Sequence, residues 1–329
     1  MKHKKIFLVV LGVLILAGAA YAATKVVYFQ QKPAESTVEK PKETAVPPAS
    51  PETVPPQQEQ KQGKVKTLLF LKKSDNEQVT ELRKIDLDGS NNKLVFTDAD
   101  EDFKIRIVGG LSKDYVLVFG TPLNETSGSI WQVKIDGSGT KKMLADGTFS
   151  TSSFSFSNEK IAFISYDNIR GTYNIWTMNM DGRFKTKVLE SEDMLSDLVF
   201  ADNSLGFVKV DKDGNSIVET MNLDGSNPKE IIKSKDQIYA LSFTSGTFAY
   251  IKSPKATGRV SLTEVYIYNL SEKKEKKITN DKESDTYPVI SKDGTKVVFS
   301  KNGKIWVENV DGTEAKVLTE GTQPLGFLE

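Results

Sequence analysis

The sequence predicts an all-β protein: a six-bladed β-propeller of four-stranded antiparallel blades. Three observations point there. A strand-and-turn phrase, clearest as Ile305-Trp306-Val307-Glu308-Asn309-Val310-Asp311-Gly312, recurs in six copies at intervals of roughly 40–48 residues, a period that marks propellers and other repeat arrays. Short apolar runs before and after each copy bring every unit to four strands. The first unit lacks its leading strand, and a run of matching sequence stands at the other end of the chain.

The phrase reads as a strand closed by a turn. Its copies are 82–89, 130–137, 175–182, 218–225, 265–272 and 305–312. The first position is always Leu, Ile or Val, and the second and fourth are mostly large and apolar, as in a half-buried strand. Trp131, Trp176 and Trp306 share the second position. They are expected to pack blade against blade rather than to stack on a ligand. Asp-Gly ends every copy except 265–272, which ends Ser271-Glu272. Glycine accepts the positive φ of a tight hairpin, so these pairs are turns and not ligands. A strand with an aromatic near its middle or end precedes each phrase, at 68–70, 116–119, 161–163, 205–207, 248–250 and 297–299. A shorter apolar run precedes that, at 105–108, 154–156, 198–200, 241–243 and 288–290. An outer strand follows the turn, as at 94–96, 188–189, 231–232 and 317–318.

The chain opens on Met1-Lys2-His3-Lys4-Lys5 and then runs apolar and uncharged over residues 6–23. That length is the lower edge for a bilayer-spanning helix. Ala20-Tyr21-Ala22 also fits a signal-peptidase site. Residues 1–29 are therefore read as a signal anchor or a signal peptide. The first leaves a single-pass protein in the cell membrane; the second releases a secreted or periplasmic one after cleavage near Ala22. Val26-Val27-Tyr28-Phe29 extends the apolar character past Lys25 and favours the anchor. Either way the basic end stays in the cytoplasm and the rest is exported. Residues 30–64 hold seven of the twelve prolines, with almost no large apolar residue. Such a stretch cannot bury a core and is read as a disordered spacer, reaching up to about 100 Å. Residues 65–329 are the propeller. They start in mid-blade, since 66–72 matches the second strand of the other units. Gln323-Pro324-Leu325-Gly326-Phe327-Leu328 aligns with Tyr287-Pro288-Val289-Ile290, proline included. It is expected to complete the first blade and seal the ring.

Residues 291–299, Ser-Lys-Asp-Gly-Thr-Lys-Val-Val-Phe, then 305–312 and Val317-Leu318-Thr319, resemble the repeat of TolB-type propellers. That repeat reads Ser-x-Asp-Gly, an apolar strand, Ile-Trp or Ile-Tyr, Asn-x-Asp-Gly and Leu-Thr. Residues 154–189 match too, with Ser157-Asn158-Glu159 in place of Ser-x-Asp. The resemblance implies the propeller fold and an extracytoplasmic interaction role. TolB proper carries an α/β domain where this chain has its linker, so the Tol–Pal partners are not carried over. Related repeats also form the propellers of prolyl-oligopeptidase-type peptidases, but no hydrolase domain is present here.

Composition removes several chemistries. Lys and Arg number 44 and so do Asp and Glu, so no global field draws the chain to nucleic acid. There is no cysteine, which excludes disulfides, thiolate metal sites and a lipoprotein anchor. The one histidine is His3, which excludes Ser-His-Asp and Cys-His catalysis and histidine-held metals in the propeller. Two clusters have calcium-like spacing, Asp98-x-Asp100-x-Asp102 and Asp211-x-Asp213-x-Asn215. Phe103 and Ser216 stand where the loop glycine belongs, and Gly109 and Asn222 where the closing glutamate belongs, so both are read as turns. No cofactor and no metal are expected. Asn124-Glu125-Thr126 is a glycosylation sequon, relevant only in a host that glycosylates exported proteins.

The expected function is a non-catalytic extracytoplasmic scaffold, membrane-tethered and monomeric, that binds an envelope protein or a cell-wall polymer. The alternative is a carboxylate-based hydrolase or lyase acting on extracellular polysaccharide. A pair of carboxylates deep in the central funnel would favour that alternative. The expected docking face joins two loop sets, because turns from second to third strand share a side with connections from a fourth strand to the next blade. The connections are acidic: Asp98, Asp100, Glu101 and Asp102, then Glu190, Glu192 and Asp193, then Asp281, Glu283 and Asp285. The turns add Arg170 and Tyr173, and a longer basic tongue with Lys252, Lys255 and Arg259. Loops on a rigid sheet carry function, and such charge acts mainly on association rate.

Overall fold

The computed structural model describes residues 66–74, 79–99, 101, 103–122, 127–149, 153–157, 160–201, 203–244, 246–254 and 262–328. The N-terminal segment 1–29, the linker 30–64, the sequon, and Asp100, Asp102, Lys255 and Arg259 lie outside them. Among the described residues no helix is long and apolar enough to cross a bilayer.

The described chain folds as 24 strands in six four-stranded antiparallel sheets, the blades expected from the repeat. Blade 1 holds β1 (Thr67–Lys73), β2 (Thr80–Asp86) and β3 (Lys93–Thr97). Blade 2 runs β4 (Lys104–Leu111), β5 (Tyr115–Thr121), β6 (Gly128–Lys134), β7 (Lys141–Phe149). Blade 3 runs β8 (Ser153–Phe156), β9 (Lys160–Asp167), β10 (Thr172–Asn179), β11 (Thr186–Ser191). Blade 4 runs β12 (Met194–Ala201), β13 (Ser204–Val210), β14 (Ser216–Asn222), β15 (Lys229–Ser234). Blade 5 runs β16 (Gln237–Thr244), β17 (Thr247–Ser253), β18 (Glu264–Asn269), β19 (Lys274–Lys277). Blade 6 runs β20 (Asp285–Ile290), β21 (Lys296–Lys301), β22 (Lys304–Asn309), β23 (Lys316–Glu320), and β24 (Gln323–Leu328) follows it.

The last strand does not belong to blade 6. β24 pairs antiparallel with β1, Thr67 opposite Leu328 and Leu68 opposite Phe327, and so covers an edge that would otherwise expose unpaired N–H and C=O groups. Packing closes the same seam. Leu68, Phe70 and Ile85 of blade 1 share one cluster with Val298, Ile305 and Val307 of blade 6. The other five seams are filled the same way, for example by Phe119 and Ile130 of blade 2 with Phe154, Ile161 and Phe163 of blade 3. The core is therefore six slabs between blades, each repeat burying its faces only against its neighbours.

The phrase strands behave as their pattern dictates. In β22, Ile305 and Val307 are fully buried while Trp306 is half-buried. The Asp-Gly turns carry glycine at φ 81–92°. Their aspartates accept an N–H two residues on, as Asp311 does from Thr313 at 3.0 Å and Asp224 from Ser226 at 2.9 Å. In blade 5, where Asp-Gly is missing, Asn269 takes over by accepting the Ser271 N–H at 2.9 Å. The residue leading into each outer strand is left-handed in all six blades: Asn91, Gly139, Phe184, Asn227, Lys273 and Glu314, at φ 54–69°.

The inner strands ring the central axis and are bulged. Asp197, Ala240 and Tyr287 sit at φ 50–52° where the register of β12, β16 and β20 slips. Side chains stitch one inner strand to the next. Ser153 accepts the Leu198 N–H at 2.9 Å, Asp197 accepts the Ala240 N–H at 2.7 Å, and Ser242 donates to the Pro288 carbonyl at 2.8 Å.

Candidate functional site

The β9–β10 hairpin places the first part of the site. Its turn, residues 168–171, is held by Asp167, whose carboxylate accepts the N–H groups of Ile169 and Arg170 at 2.9 and 3.1 Å. Those bonds, Arg170 first, hold the Asp167 carboxyl below the usual carboxylate range. Gly171 closes the turn at φ 72°. The result pushes Ile169 outward, 97% exposed. At the base of the tip, the Tyr166 and Tyr173 rings meet at 4.7 Å. Arg170 reaches Glu190, at the end of the outer strand, at 3.7 Å. A turn between second and third strands and the end of a fourth strand thus lie on one face.

At the entry to blade 4, just past the outer strand that carries Glu190, opens a cleft of about 430 Å³ lined by Glu192, Asp193, Met194, Val210, Asp211 and Lys212. Asp211 is a turn residue here. It accepts from the Asn215 amide, which with the Asn215 N–H and Lys233 brings its carboxyl down to about 2. Asp211 to Gly214 is therefore a hairpin turn between β13 and β14. Met194, the first residue of the inner strand, is 37% exposed at the cleft wall.

Several of the acidic and basic residues named from the sequence have ion-pair partners within the propeller. Glu101 pairs with Lys141, Glu190 with Lys187 and Arg170, and Asp281 with Lys301 at 2.6 Å. Lys252, the described cation of the tongue, is 13% exposed at its side chain, bound to Glu275 and lying 4.8 Å over the Tyr266 ring. Asp98 is fully buried and joins two blades by accepting the N–H groups of Thr80 at 2.7 Å and Ile105 at 3.0 Å. Asp285 is fully buried too, and neither of its oxygens has a hydrogen-bond partner. Burial pushes its carboxyl up to about 7 against the pull of Thr279 and Lys301. Glu192 and Glu283 are exposed.

The structure thus brings Arg170, Tyr173 and Glu190 together, with Glu192 two residues further along at the cleft, and places Asp98, Glu101, Asp281, Glu283, Asp285 and Lys252 elsewhere on the propeller. Sequence reasoning missed Ile169, Tyr166 and Met194. One signal was available: Asp167-Asn168-Ile169-Arg170-Gly171 is a tight-turn composition with a single apolar misfit. In the central ring, β12 and β20 carry the two carboxylates of the described inner strands, Asp197 and Asp285. Asp197 is spent on a neighbouring N–H and Asp285 is sealed in a seam. Among the described residues, no group of three or more carboxylates or histidines is placed to hold a metal ion.

Six four-stranded blades with these turns define the fold. It is a six-bladed β-propeller. The structure is similar to TolB from Acinetobacter baumannii, with a TM-score of 0.60, 14% identity, and 79% of this chain and 67% of that one covered. It is similar also to a putative TolB from Agrobacterium tumefaciens, with a TM-score of 0.57, 12% identity, and 80% and 95% covered. An oligogalacturonate lyase in complex with manganese aligns with a TM-score of 0.51, 9% identity, and 73% and 71% covered. Residues 244–326 match the family model of the dipeptidyl peptidase IV N-terminal region. No curated protein matches the chain in sequence. At these identities the TolB-like likeness is one of fold.

Proposed function

We propose that this protein is a non-catalytic binding scaffold, held outside the cytoplasm by residues 1–29, whose TolB-like propeller docks an envelope protein through the blade 3 and blade 4 sector. The observation that carries this is Ile169, 97% exposed at a tip that Asp167 and Gly171 build rigidly. A rigid apolar anchor beside two tyrosines, an arginine and a cleft has the composition of an interface hot spot. The charges of the same face are mostly paired internally, which favours a protein partner over a highly charged polymer. No cofactor is part of this reading, nucleic acid is not a partner, and the propeller acts as a monomer.

The polysaccharide hydrolase or lyase reading has less support. The only histidine is His3, and the two inner-strand carboxylates are engaged or sealed. Two experiments test the proposal. Pull-down from envelope extract with the full-length protein should capture a partner, and Ile169→Asp should lower capture about tenfold or more. Capture unchanged by Ile169→Asp and Arg170→Glu would place the interface elsewhere, and release of sugar products from an acidic polysaccharide by the purified protein would overturn the non-catalytic reading. Detergent-dependent fractionation of the intact chain decides between anchor and cleaved peptide.

A further inference from the structure

The opposite end of β10 carries a second exposed apolar residue that the docking face does not use. Phe184, in the turn from β10 to β11, is 76% exposed. It occupies the left-handed position, φ 56°, that leads into the outer strand. The same position in four of the other blades holds Asn91, Gly139, Asn227 and Glu314, while blade 5, whose turn is built differently, has Lys273 left-handed just before its outer strand. Asparagine and glycine are the residues this conformation favours; a bulky aromatic there is strained. Folding gains little from Phe184 in return, since the ring stays in solvent. A residue that costs stability at its backbone and buries so little of its side chain is placed for an intermolecular contact.

The surroundings select the partner. Arg183 is exposed on one side of Phe184, and on the other Lys185 lies with its ammonium 4.7 Å over the Trp176 ring. Around the same side of the propeller, the first turns of the outer strands each present an exposed lysine: Lys93, Lys142, Lys187, Lys229, Lys274 and Lys316. The same turns carry the exposed carboxylates Asp88, Asp136, Asp181, Asp224, Glu272 and Asp311. Accepting a backbone N–H, as Asp181 does from Arg183 at 3.0 Å, leaves such a group its charge. These carboxylates offset much of the lysine charge around the rim, and the basic excess is local to Phe184, where Arg183, Lys185 and Lys187 stand against Asp181. An aromatic tip with basic residues beside it fits the boundary between headgroups and acyl chains of an anionic bilayer. The apolar run 6–23 and the linker 30–64 are expected to keep the propeller within reach of such a surface.

We propose that Phe184, with Arg183 and Lys185, is a foot that rests the propeller on an anionic membrane while the Ile169 face points away toward its partner. Its proximity to a membrane rests on the anchored reading; the binding itself does not. Residues 66–328 close all six seams among themselves, so the fragment 65–329 folds without the anchor and isolates the foot.

The test is co-sedimentation of that fragment with vesicles of phosphatidylcholine, with and without phosphatidylglycerol. The fragment should pellet with the anionic vesicles and be released by salt. Phe184→Asn restores the residue of two sibling blades, so it should raise the melting temperature while weakening vesicle binding about tenfold. Replacing Arg183 or Lys185 by Gln should weaken it about fivefold each. Failure to pellet with anionic vesicles, or binding indifferent to Phe184→Asn, overturns the proposal. So does equal affinity for a soluble poly(glycerol phosphate), which would make the partner an anionic polymer. Failure of the anchored reading would show in fractionation of the intact chain and leave this assay unaffected.

Discussion

Asp98 and Asp285 are both fully buried, yet only the Asp98 carboxylate has hydrogen-bond partners. Two backbone N–H groups and nearby Lys104, at 3.7 Å, compensate the desolvation of Asp98. Asp285 has no such compensation from hydrogen bonds, and its carboxyl rises to about 7 because burial disfavours the anion, with Asp281 and Glu264 adding to that rise. The unfolded chain releases this proton near pH 3.9. Between about pH 4 and about pH 7 the folded protein therefore binds more protons than the unfolded one, and stability falls as pH rises through that window. Denaturant titrations of wild type and Asp285→Asn should diverge accordingly. The variant should be the more stable near pH 8 and should lack this downward slope; parallel pH profiles would show that Asp285 does not titrate there. Of the residues proposed for docking, Arg170, Tyr173 and Glu190 could be grouped from the sequence because one short hairpin and the strand beside it carry them. Ile169 was overlooked because charge patterning gives no weight to a single apolar residue in a turn.

At the scale of one strand, the repeated aromatic does two things at once. Its body fills the seam, and a lysine caps its exposed face: Lys141 over Trp131 at 5.7 Å, Lys185 over Trp176 at 4.7 Å, Lys301 over Trp306 at 4.4 Å and Lys252 over Tyr266 at 4.8 Å. The packing role of the tryptophans was readable from their shared position. The caps were not, because the lysine comes from a different strand in different blades. The seams leave little slack. A Cβ on Gly109 in β4 would lie 2.0 Å from the Phe154 ring of blade 3. Gly109→Ala should cost about 1–3 kcal/mol by overpacking, measured as a lowered denaturant midpoint with the far-UV β signal kept. A variant as stable as wild type would mean that the Phe154 ring moves aside freely.

The whole molecule depends on one long-range pairing. β1 and β24 are joined by main-chain bonds, and Lys72–Glu320 at 3.2 Å and a Lys66–Asp293 contact cross the same seam. Ending the chain at residue 322 removes β24, exposes the β1 edge and opens a slab of core. The truncated protein should lose its cooperative melting transition and aggregate, seen as void-volume elution in size exclusion. A soluble monomer with unchanged melting temperature would show that the ring does not need this strand.

The sequence by itself determined the number of blades, most of the strands within each and the position of every Asp-Gly turn. All of these follow from local periodicity and backbone preference, which act over a few residues and repeat six times. The outer strand of blade 5, Lys274–Lys277, is instead an exposed Lys-Glu-Lys-Lys run with no apolar signal, held by its pairing to β18. Tertiary structure alone decided which charges remain available. Lys252 and Glu275, Lys301 and Asp281, and Asp98 and Thr80 are brought together only when strands align side by side. Tertiary structure also decided that Ile169 and Phe184 stand out from opposite ends of one strand. Exposure is set by what the rest of the chain leaves uncovered, and no residue's own chemistry fixes that.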